Sequence, residues 1–118
     1  SMEELGIDIE RTDRYFNARK VSKRFFIKED YEKICTLSES ELRHSTLVQW
    51  VVKESAIKWQ REKLVSNISH WQWDQKSSRA VHIIKGYKIN IFQLNFLNWE
   101  VGVASKLDLN TIQPIICF

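Results

Sequence analysis

Gly-Ile-Asp-Ile-Glu occupies residues 6–10 of the 118-residue chain, and Trp-Val-Val-Lys-Glu-Ser-Ala-Ile-Lys occupies residues 50–58. In the first stretch isoleucines alternate with acidic residues, which is the period of a β-strand. Because alternate side chains of a strand point to opposite sides, Asp8 and Glu10 share one face and the isoleucines form the other. The stretch therefore predicts a strand with one apolar face and one face that carries two carboxylates.

The second stretch has the spacing of a helix. Glu54 and Lys58 lie four residues apart, which places both side chains on one helix face. Two carboxylates on a strand and a third on a helix can bind a hard divalent cation, and a lysine one turn further on can hold a phosphate. These residue types indicate chemistry on a phosphate ester or a pyrophosphate.

Each motif also has a purely structural explanation. Asp8 and Glu10 are typical of an exposed edge strand, and Glu54 with Lys58 is typical of a helical ion pair that stabilises by roughly 0.3 kcal/mol. Independent surface features do not explain a glutamate and a lysine inside an otherwise apolar helical stretch. The occurrence of both motifs in one chain favours a functional site.

Length and composition predict a single domain over residues 2–118, and Ser1 before Met2 is typical of a remnant of tag removal. Five tryptophans, six phenylalanines and three tyrosines argue against disorder. No apolar run reaches the roughly 18 residues that a membrane span needs, and no signal peptide is evident, so we predict a cytoplasmic protein. Cys35 and Cys117 form no metal or redox motif and are predicted to be free, buried thiols.

The net charge of +3 is too small to indicate a nucleic-acid-binding protein. Cationic residues are nevertheless concentrated after the first motif, and this basic region comprises Arg11, Arg14, Arg19, Lys20, Lys23, Arg24, Lys28 and Lys33. It is either a solvated surface or a docking surface for an acidic partner. The histidines match no motif and are predicted to be structural; they are His44, His70 and His82.

The first half of the chain predicts one strand and three helices. The strand covers residues 5–10 and is expected to be buried. The helices cover residues 12–20, about 28–36 and 39–62. Tyr15 and Phe16 are expected to face inward from the first helix. Ser38 is a suitable N-cap for the long helix, and Glu41 three residues later completes a capping box.

The second half predicts β-structure. Alternating patterns give strands over residues 68–74, 79–84, 87–94 and 99–105. Lys85-Gly86 predicts a two-residue hairpin turn between the second and third of these strands. The apolar stretch over residues 112–118 is expected to pack on the domain or against another subunit. The expected fold is an α+β domain in which an antiparallel sheet is covered by a long helix.

The two motifs together resemble the signature pair of the 4'-phosphopantetheinyl transferases, Gly-(Ile/Val)-Asp-(Ile/Val)-Glu followed by Trp-x-x-Lys-Glu-(Ala/Ser)-x-x-Lys. Residues 24–29, Arg-Phe-Phe-Ile-Lys-Glu, resemble the segment Arg-Phe-Phe-(Ser)-x-x-Glu that lies between the two motifs in this family. Order and approximate spacing agree over residues 5–65. The motifs are closest to the C-terminal lobe of two-lobed members, whereas the length is that of the short holo-acyl-carrier-protein synthases.

The resemblance implies Mg²⁺-dependent transfer of the 4'-phosphopantetheine arm of coenzyme A to a serine of an acyl or peptidyl carrier protein, with release of adenosine 3',5'-bisphosphate. The pathways implied are fatty acid or polyketide biosynthesis. Carrier proteins are acidic, and the family meets them with the basic region after its first motif. In the short members coenzyme A lies between subunits, so the resemblance also implies a homo-oligomer, either a trimer or a dimer.

The resemblance also implies roles for individual residues. Asp8, Glu10 and Glu54 correspond to the metal ligands of the family. Glu54 is in addition a candidate base for the serine hydroxyl, and Lys58 steadies the phosphates of coenzyme A. Lys53 corresponds to a weaker phosphate contact.

The chain differs from the family after the second motif. Family members have a glycine-containing loop after the lysine, whereas residues 59–63 here are Trp-Gln-Arg-Glu-Lys. This difference keeps open a second function, that of a non-catalytic module of the same fold that binds a carrier protein or another partner. An unrelated Mg²⁺-dependent phosphoesterase is a third alternative.

Overall fold

The computed structural model describes residues 5–106, apart from the side chains of residues 64 and 65. Its elements follow one another as β1 (Gly6–Arg11), α1 (Ala18–Phe25), α2 (Lys28–Ile34), α3 (Glu39–Gln60), α4 (Leu64–Asn67), a 3-10 turn (Ile68–His70), β2 (Trp71–Asp74), β3 (Arg79–His82), β4 (Lys88–Phe96) and β5 (Trp99–Ser105). The apolar stretch at residues 112–118, with Cys117, lies outside the described residues. None of the described helices combines the length and the apolar character needed to cross a membrane.

The five strands form one antiparallel sheet in the order β1-β5-β4-β3-β2. Helix α3 lies across one face of this sheet, mainly over β1 and β5. In the register of these two strands, Asp8 lies opposite Gly102 and Glu10 lies opposite Glu100. The predicted α+β fold, an antiparallel sheet covered by a long helix, is confirmed.

Helix α3 begins where the sequence predicts and ends two residues earlier, at Gln60. The hydroxyl of Ser38 accepts a hydrogen bond from the backbone N–H of Glu41, as an N-cap does. The same hydroxyl donates to the Glu41 carboxylate at 2.7 Å, so these two side chains bond to each other instead of forming the reciprocal backbone bond of a capping box. Both contacts stabilise the start of the helix that carries the second motif.

The core lies between α3 and the sheet. Trp71, Ile89 and Ile91 of the sheet are at most 1% exposed and belong to one apolar cluster with Val52 and Ala56 of α3. A second cluster joins α3 to the chain before it and consists of Ala18, Phe26, Ile34 and Leu42. Burial of apolar surface in both clusters fixes α3 about its own axis. The direction in which its polar side chains point is therefore fixed too.

Strand β1 is an edge strand that turns its acidic face toward α3. Ile7 and Ile9 are 42% and 50% exposed, whereas Asp8 is 3% exposed. The isoleucine face lies on the far side of the sheet and borders an open apolar groove, which is lined by Ile9, Leu94, Phe96, Trp99 and Val101. The prediction that residues 5–10 form a buried strand is therefore wrong for the isoleucines, because α3 covers the other face.

Two glycines allow α3 to lie close to the sheet. A Cβ on Gly6 would lie 2.0 Å from the carbonyl oxygen of Ser55 and 2.3 Å from the backbone nitrogen of Trp59. A Cβ on Gly102 would lie 2.8 Å from Cγ1 of Val51. The atoms that meet Gly6 belong to the helix backbone, so they cannot move aside without moving the helix. The glycine of the first motif is therefore required by packing.

Replacement of Gly6 by alanine is expected to lower the free energy of unfolding by about 1–3 kcal/mol, because the new methyl group forces β1 and α3 apart. Urea unfolding followed by tryptophan fluorescence measures the change. Gly86→Ala serves as the comparison without a steric clash, since a Cβ there meets no atom within 4 Å and only the φ of 76° is unfavourable, at a cost of roughly 1–2 kcal/mol. A loss of less than about 0.5 kcal/mol for Gly6→Ala would show that close approach is not what Gly6 provides.

Helix α1 begins later than the predicted helix over residues 12–20. Asn17 is its N-cap, and the side-chain oxygen of Asn17 accepts a backbone hydrogen bond from the first turn at 3.0 Å. The residues before Asn17 form a loop in which Tyr15 is 88% exposed. The prediction that Tyr15 faces inward is wrong, whereas Phe16 is half-buried and packs against the cluster that joins α1 to α3.

The remaining boundaries differ by a few residues. The strand predicted over residues 99–105 is β5, and the one predicted over residues 87–94 extends to Phe96 in β4. The helix predicted over residues 28–36 is α2, which is two residues shorter. Residues 68–70 form the 3-10 turn instead of the start of a strand. Helix α4 was not predicted.

The connection between β3 and β4 is longer than the sequence predicts. Strand β3 ends at His82 and β4 begins at Lys88, so residues 83–87 form a five-residue connection. The two-residue turn predicted at Lys85-Gly86 is therefore wrong. The cause is the His82 side chain, which accepts backbone hydrogen bonds from this connection.

Candidate metal centre

Asp8 and Glu10 of β1 meet Glu54 of α3 on the helix-covered face of the sheet. One carboxylate oxygen from each residue lies within 4.8 Å of the other two. Strand alternation places the first two side chains on the same face, and the position of α3 over β1 brings the third to them. The structure thus brings together the three residues that the sequence analysis proposed as metal ligands.

Asp8 lies at the most buried point of this cluster. Its Oδ1 accepts a hydrogen bond from Nζ of Lys58 at 2.8 Å, while its Oδ2 is buried and receives no donor from the described residues. The hydrogen bond with Asp8 is the main reason why the pKa of Lys58 is raised. The Lys58 side chain is 54% exposed, so its ammonium group is reachable from solvent. A cationic group at the mouth of the cluster can bind an anion that enters from outside.

The Glu54 carboxyl group is shifted strongly toward its protonated form. Its pKa is raised to about 8, first by burial and then by the neighbouring carboxyl groups of Asp8 and Glu10, against the opposing charge of Lys58. Without a cation, Glu54 therefore holds a proton at neutral pH. A side-chain hydrogen bond with Asp8 contributes to the same shift.

The donor set fits a divalent cation. Mg²⁺ takes oxygen ligands and is bound in proteins through a small number of carboxylates, while it keeps several of its waters. A buried carboxylate oxygen without a donor, next to two further carboxylates, offers such ligands. A cation between them also removes the mutual repulsion that keeps Glu54 protonated. Asp8, Glu10 and Glu54 are the residues that would hold it.

The loop after β1 provides a hydrogen-bonding partner for the Glu10 carboxylate. Arg14 donates from Nη1 to Oε2 of Glu10 at 3.0 Å. Arg43 of α3 donates to the carbonyl oxygen of Arg14, and its guanidinium lies over the ring of Phe16, so the loop is tied to α3. Next to Glu10 there is a cavity of about 100 Å³ with mostly apolar walls, lined by Glu10, Arg14, Phe16, Val21, Leu47 and Trp50.

Lys53 does not join the site. Its side chain is fully buried, and its Nζ donates to Oδ2 of Asp30 at 2.6 Å. The same oxygen accepts the backbone N–H of Trp73, and the ammonium lies 4.0 Å from the ring centroid of Phe26. Burial lowers the pKa of Lys53 to about 8, although Asp30 favours the charged form. This geometry corrects the expectation that Lys53 contacts a phosphate, because its ammonium faces the core.

Two residues around the site were missed from the sequence. Asp30 holds Lys53 in the core, and one signal for it existed: counted from Arg24, the family segment places its acidic residue at position 30 and not at 29. Arg14 holds Glu10, but the pair spans the end of a strand and a loop. A four-residue separation has no meaning outside a helix, so the sequence carried no signal for this pair.

The chain forms the turn after Lys58 without glycine. Arg61 has a φ of 63°, the left-handed conformation that glycine usually adopts after a helix, and its N–H donates to the carbonyl oxygens of Ile57 and Lys58. This conformation costs a residue with a side chain roughly 1–2 kcal/mol. The helix therefore ends with an ordinary left-handed cap even though the glycine-containing loop of the family is absent.

An α+β domain of this topology, with three carboxylates and an accessible lysine at one point, has the groups of a protein that acts on phosphate esters. The chain belongs to the 4'-phosphopantetheinyl transferase superfamily, whose family model matches residues 4–109. No curated protein matches the chain. The family match covers both motifs and all described elements, and it identifies the chain as a transferase domain of the kind that uses coenzyme A to move phosphopantetheine.

Proposed function

We propose that this protein transfers the 4'-phosphopantetheine arm of coenzyme A to a serine of an acyl or peptidyl carrier protein, with Mg²⁺ as cofactor. In this reaction the serine oxygen forms a bond to the phosphorus that carries the pantetheine arm. The phosphoanhydride bond breaks, and adenosine 3',5'-bisphosphate leaves. The observation that carries the proposal is the convergence of Asp8, Glu10 and Glu54 next to the exposed ammonium of Lys58.

The position of each residue in the site determines its proposed role. Lys58 lies at the mouth of the cluster, so it binds a phosphate oxygen of coenzyme A and offsets its charge. Glu54 is the group that takes the proton of the serine hydroxyl. It would do so as a carboxylate, because a bound cation offsets the burial and the repulsion that raise its pKa to about 8 in the free site. A divalent cation bound by the three carboxylates supplies electrostatic stabilisation of the charge that develops on the leaving phosphate.

The cavity next to Glu10 suits the group that is transferred. Its walls are mostly apolar, and Arg14 is its cationic residue. Next to the phosphate, the pantetheine arm has a methylene group followed by a carbon that carries two methyl groups, so this portion of the arm is apolar. A cavity of about 100 Å³ with apolar walls suits such a branched group. We therefore place the start of the arm against Trp50 and Leu47.

One assay tests the proposed function. The protein is incubated with coenzyme A, Mg²⁺ and several apo-carrier proteins, and mass spectrometry is used to look for the added mass of phosphopantetheine. We expect modification of at least one carrier, and its loss when Mg²⁺ is removed with a chelator. Absence of transfer to every carrier, together with measurable carrier binding, would support the alternative of a non-catalytic binding module. The feature that favours this alternative is the non-glycine turn at Arg61.

We further propose that the basic region receives the acidic carrier protein. Part of it is internally neutralised, since Arg11 is paired with Asp13 and Arg14 with Glu10. Arg19 of α1 is paired with Glu39 at 3.7 Å, but Lys20 and Arg24 are exposed and lie four residues apart on one face of this helix. These charges would steer an acidic partner toward the side of the domain on which the loop after β1 lies.

The double variant Lys20→Glu with Arg24→Glu is expected to raise the KM for the carrier roughly tenfold and to leave the KM for coenzyme A unchanged. The matched control, Lys76→Glu with Arg79→Glu, makes the same charge change on exposed residues around the β2–β3 turn. Steady-state kinetics at two salt concentrations measure both variants. A similar rise in the control would mean that net charge, and not this surface, governs association.

We also propose that the working form is a homo-oligomer, a dimer or a trimer, in which a second subunit completes the coenzyme A site. The open apolar groove on the far side of the sheet supports a subunit interface, because large exposed apolar patches mark interfaces. The shared coenzyme A site follows from the resemblance to the short members of the family. Light scattering at the assay concentration is expected to give the mass of an oligomer. A monomer that retains full transferase activity would contradict the shared site.

A further inference from the structure

His82 closes the five-residue connection between β3 and β4 with its side chain. Its Nδ1 accepts a hydrogen bond from the backbone N–H of Lys85 at 2.9 Å and another from that of Ile84 at 3.3 Å. Its own backbone completes the turn, since the carbonyl oxygen accepts from Gly86 and the N–H donates to Tyr87, each at 2.8 Å. One residue thus makes four hydrogen bonds within residues 83–87.

These bonds require one protonation state. A ring nitrogen that accepts two N–H groups carries no proton, so the imidazole is neutral and its proton lies on Nε2. The ring is 1% exposed, and Nε2 is buried without a hydrogen-bond partner among the described residues. The same argument excludes Nε2 as a metal ligand, because that nitrogen holds the proton.

The surroundings oppose a positive charge on the ring. Trp71 of β2 packs against it edge-on at 5.0 Å between ring centroids, and Tyr87 lies at 5.8 Å. The nearby groups that carry or gain positive charge are His70 of the 3-10 turn, at 5.4 Å, and Lys85 of the connection itself. Burial, followed by these two groups, holds the pKa of His82 below its ordinary value of 6.5.

We propose that His82 is a pH-sensitive switch that holds the 83–87 connection closed while its imidazole is neutral and releases it on protonation. A proton on Nδ1 would point at two other N–H groups, so both side-chain hydrogen bonds are lost at once. The folded connection favours the neutral ring. Its stabilisation is therefore complete above the ordinary pKa of histidine and is lost as the pH falls below it.

Release of the 83–87 connection would affect α3, the helix that carries the second motif. Tyr87 contacts Trp59 of α3 edge-on, with 5.6 Å between ring centroids. Trp59 follows Lys58 directly, and its backbone packs on Gly6 of β1. Opening of residues 83–87 removes this support from the C-terminal end of α3. The inference does not depend on the proposed transferase activity, because it concerns only the folded chain.

NMR spectroscopy of the whole chain tests the proposal. At about pH 7.5, well above the ordinary histidine pKa, long-range ¹⁵N–¹H correlations are expected to show His82 with the proton on Nε2. On acidification the His82 ring should titrate below 6.5, and the amide signals of Ile84 and Lys85 should shift with the same midpoint. A proton on Nδ1 at the start, or amide signals that do not follow the ring, overturns the switch.

The variant His82→Asn is the matched control. Its Oδ1 stands near the position of Nδ1 and accepts the same hydrogen bonds, but it does not titrate. We expect the acid-induced shifts of Ile84 and Lys85 to disappear in this variant. Their persistence with an unchanged midpoint overturns the proposal. If the variant does not fold, the tautomer and the titration of the unaltered protein still decide the matter.

Discussion

Replacement of Glu54 by glutamine is expected to lower the rate of phosphopantetheine transfer by at least about 100-fold. The glutamine has nearly the same shape, so the helix and the contact between α3 and β1 are retained. It offers one neutral oxygen in place of a carboxylate, and it cannot accept the proton of the serine hydroxyl. The same variant is expected to bind Mg²⁺ more weakly, so that Mg²⁺ raises the melting temperature of the unaltered protein but not of the variant.

The stability of the metal-free variant distinguishes this role from a structural one. Because the pKa of Glu54 is raised from 4.5 to about 8 in the fold, the folded state is penalised as the pH rises between these two values. Glutamine removes that penalty, so the variant should be more stable than the unaltered protein near pH 8 in the presence of a chelator. Glu62→Gln, at an exposed residue just beyond α3, is the control and should change neither property. A variant that is inactive and also less stable would indicate a damaged fold.

The second large effect is expected at the buried ion pair. Lys53→Met should lower the free energy of unfolding by about 3–5 kcal/mol, because it leaves the buried carboxylate of Asp30 without its cation. Urea unfolding measures the loss. A domain of this size is stable by roughly 5–15 kcal/mol, so the variant is expected to be partly unfolded at moderate denaturant concentration.

A double variant separates the loss of a charge pair from the loss of packing. Lys53→Met with Asp30→Leu removes both charges and should recover a large part of the stability that the single variant loses. Lys63→Met, at an exposed residue, is the control for the substitution itself. A single variant that loses less than about 1 kcal/mol would contradict the pairing of Lys53 with Asp30 in the folded protein.

Individual helices and strands were predicted well where the sequence contains a strong local pattern. The start of α3 was predicted from the N-cap at Ser38 and from the helical spacing of the second motif. Strand β5 was predicted from the alternation over residues 99–105. The start of α1 was predicted too early. Tyr15 and Phe16 suggested an apolar helix face before residue 17, whereas the helix begins after its N-cap Asn17. The turn after His82 was misjudged because a side chain, and not a turn residue, organises it.

The sequence was sufficient to predict which carboxylates form the candidate site. It was not sufficient to predict which face of the sheet α3 covers. Alternation along β1 put Asp8 and Glu10 on one face, yet it did not say which face the helix covers. Lys53 and Glu54 are adjacent in the second motif, but the motif does not indicate which of the two side chains is buried in the core. A helix turns by about 100° per residue, so these adjacent side chains point in clearly different directions. Only the packing of α3 assigns one to the core and the other to the site.

The close contact at Gly6 also determines how β1 is aligned with its neighbour. A slip of one residue against β5 would put the isoleucines under α3 and the carboxylates in solvent, an exchange that apolar burial alone would favour. The slipped strand would bring a residue with a side chain to the point where a Cβ meets the backbone of Ser55 and Trp59. Gly6 therefore excludes a misaligned fold in which the chain would be better buried but unable to bind a cation.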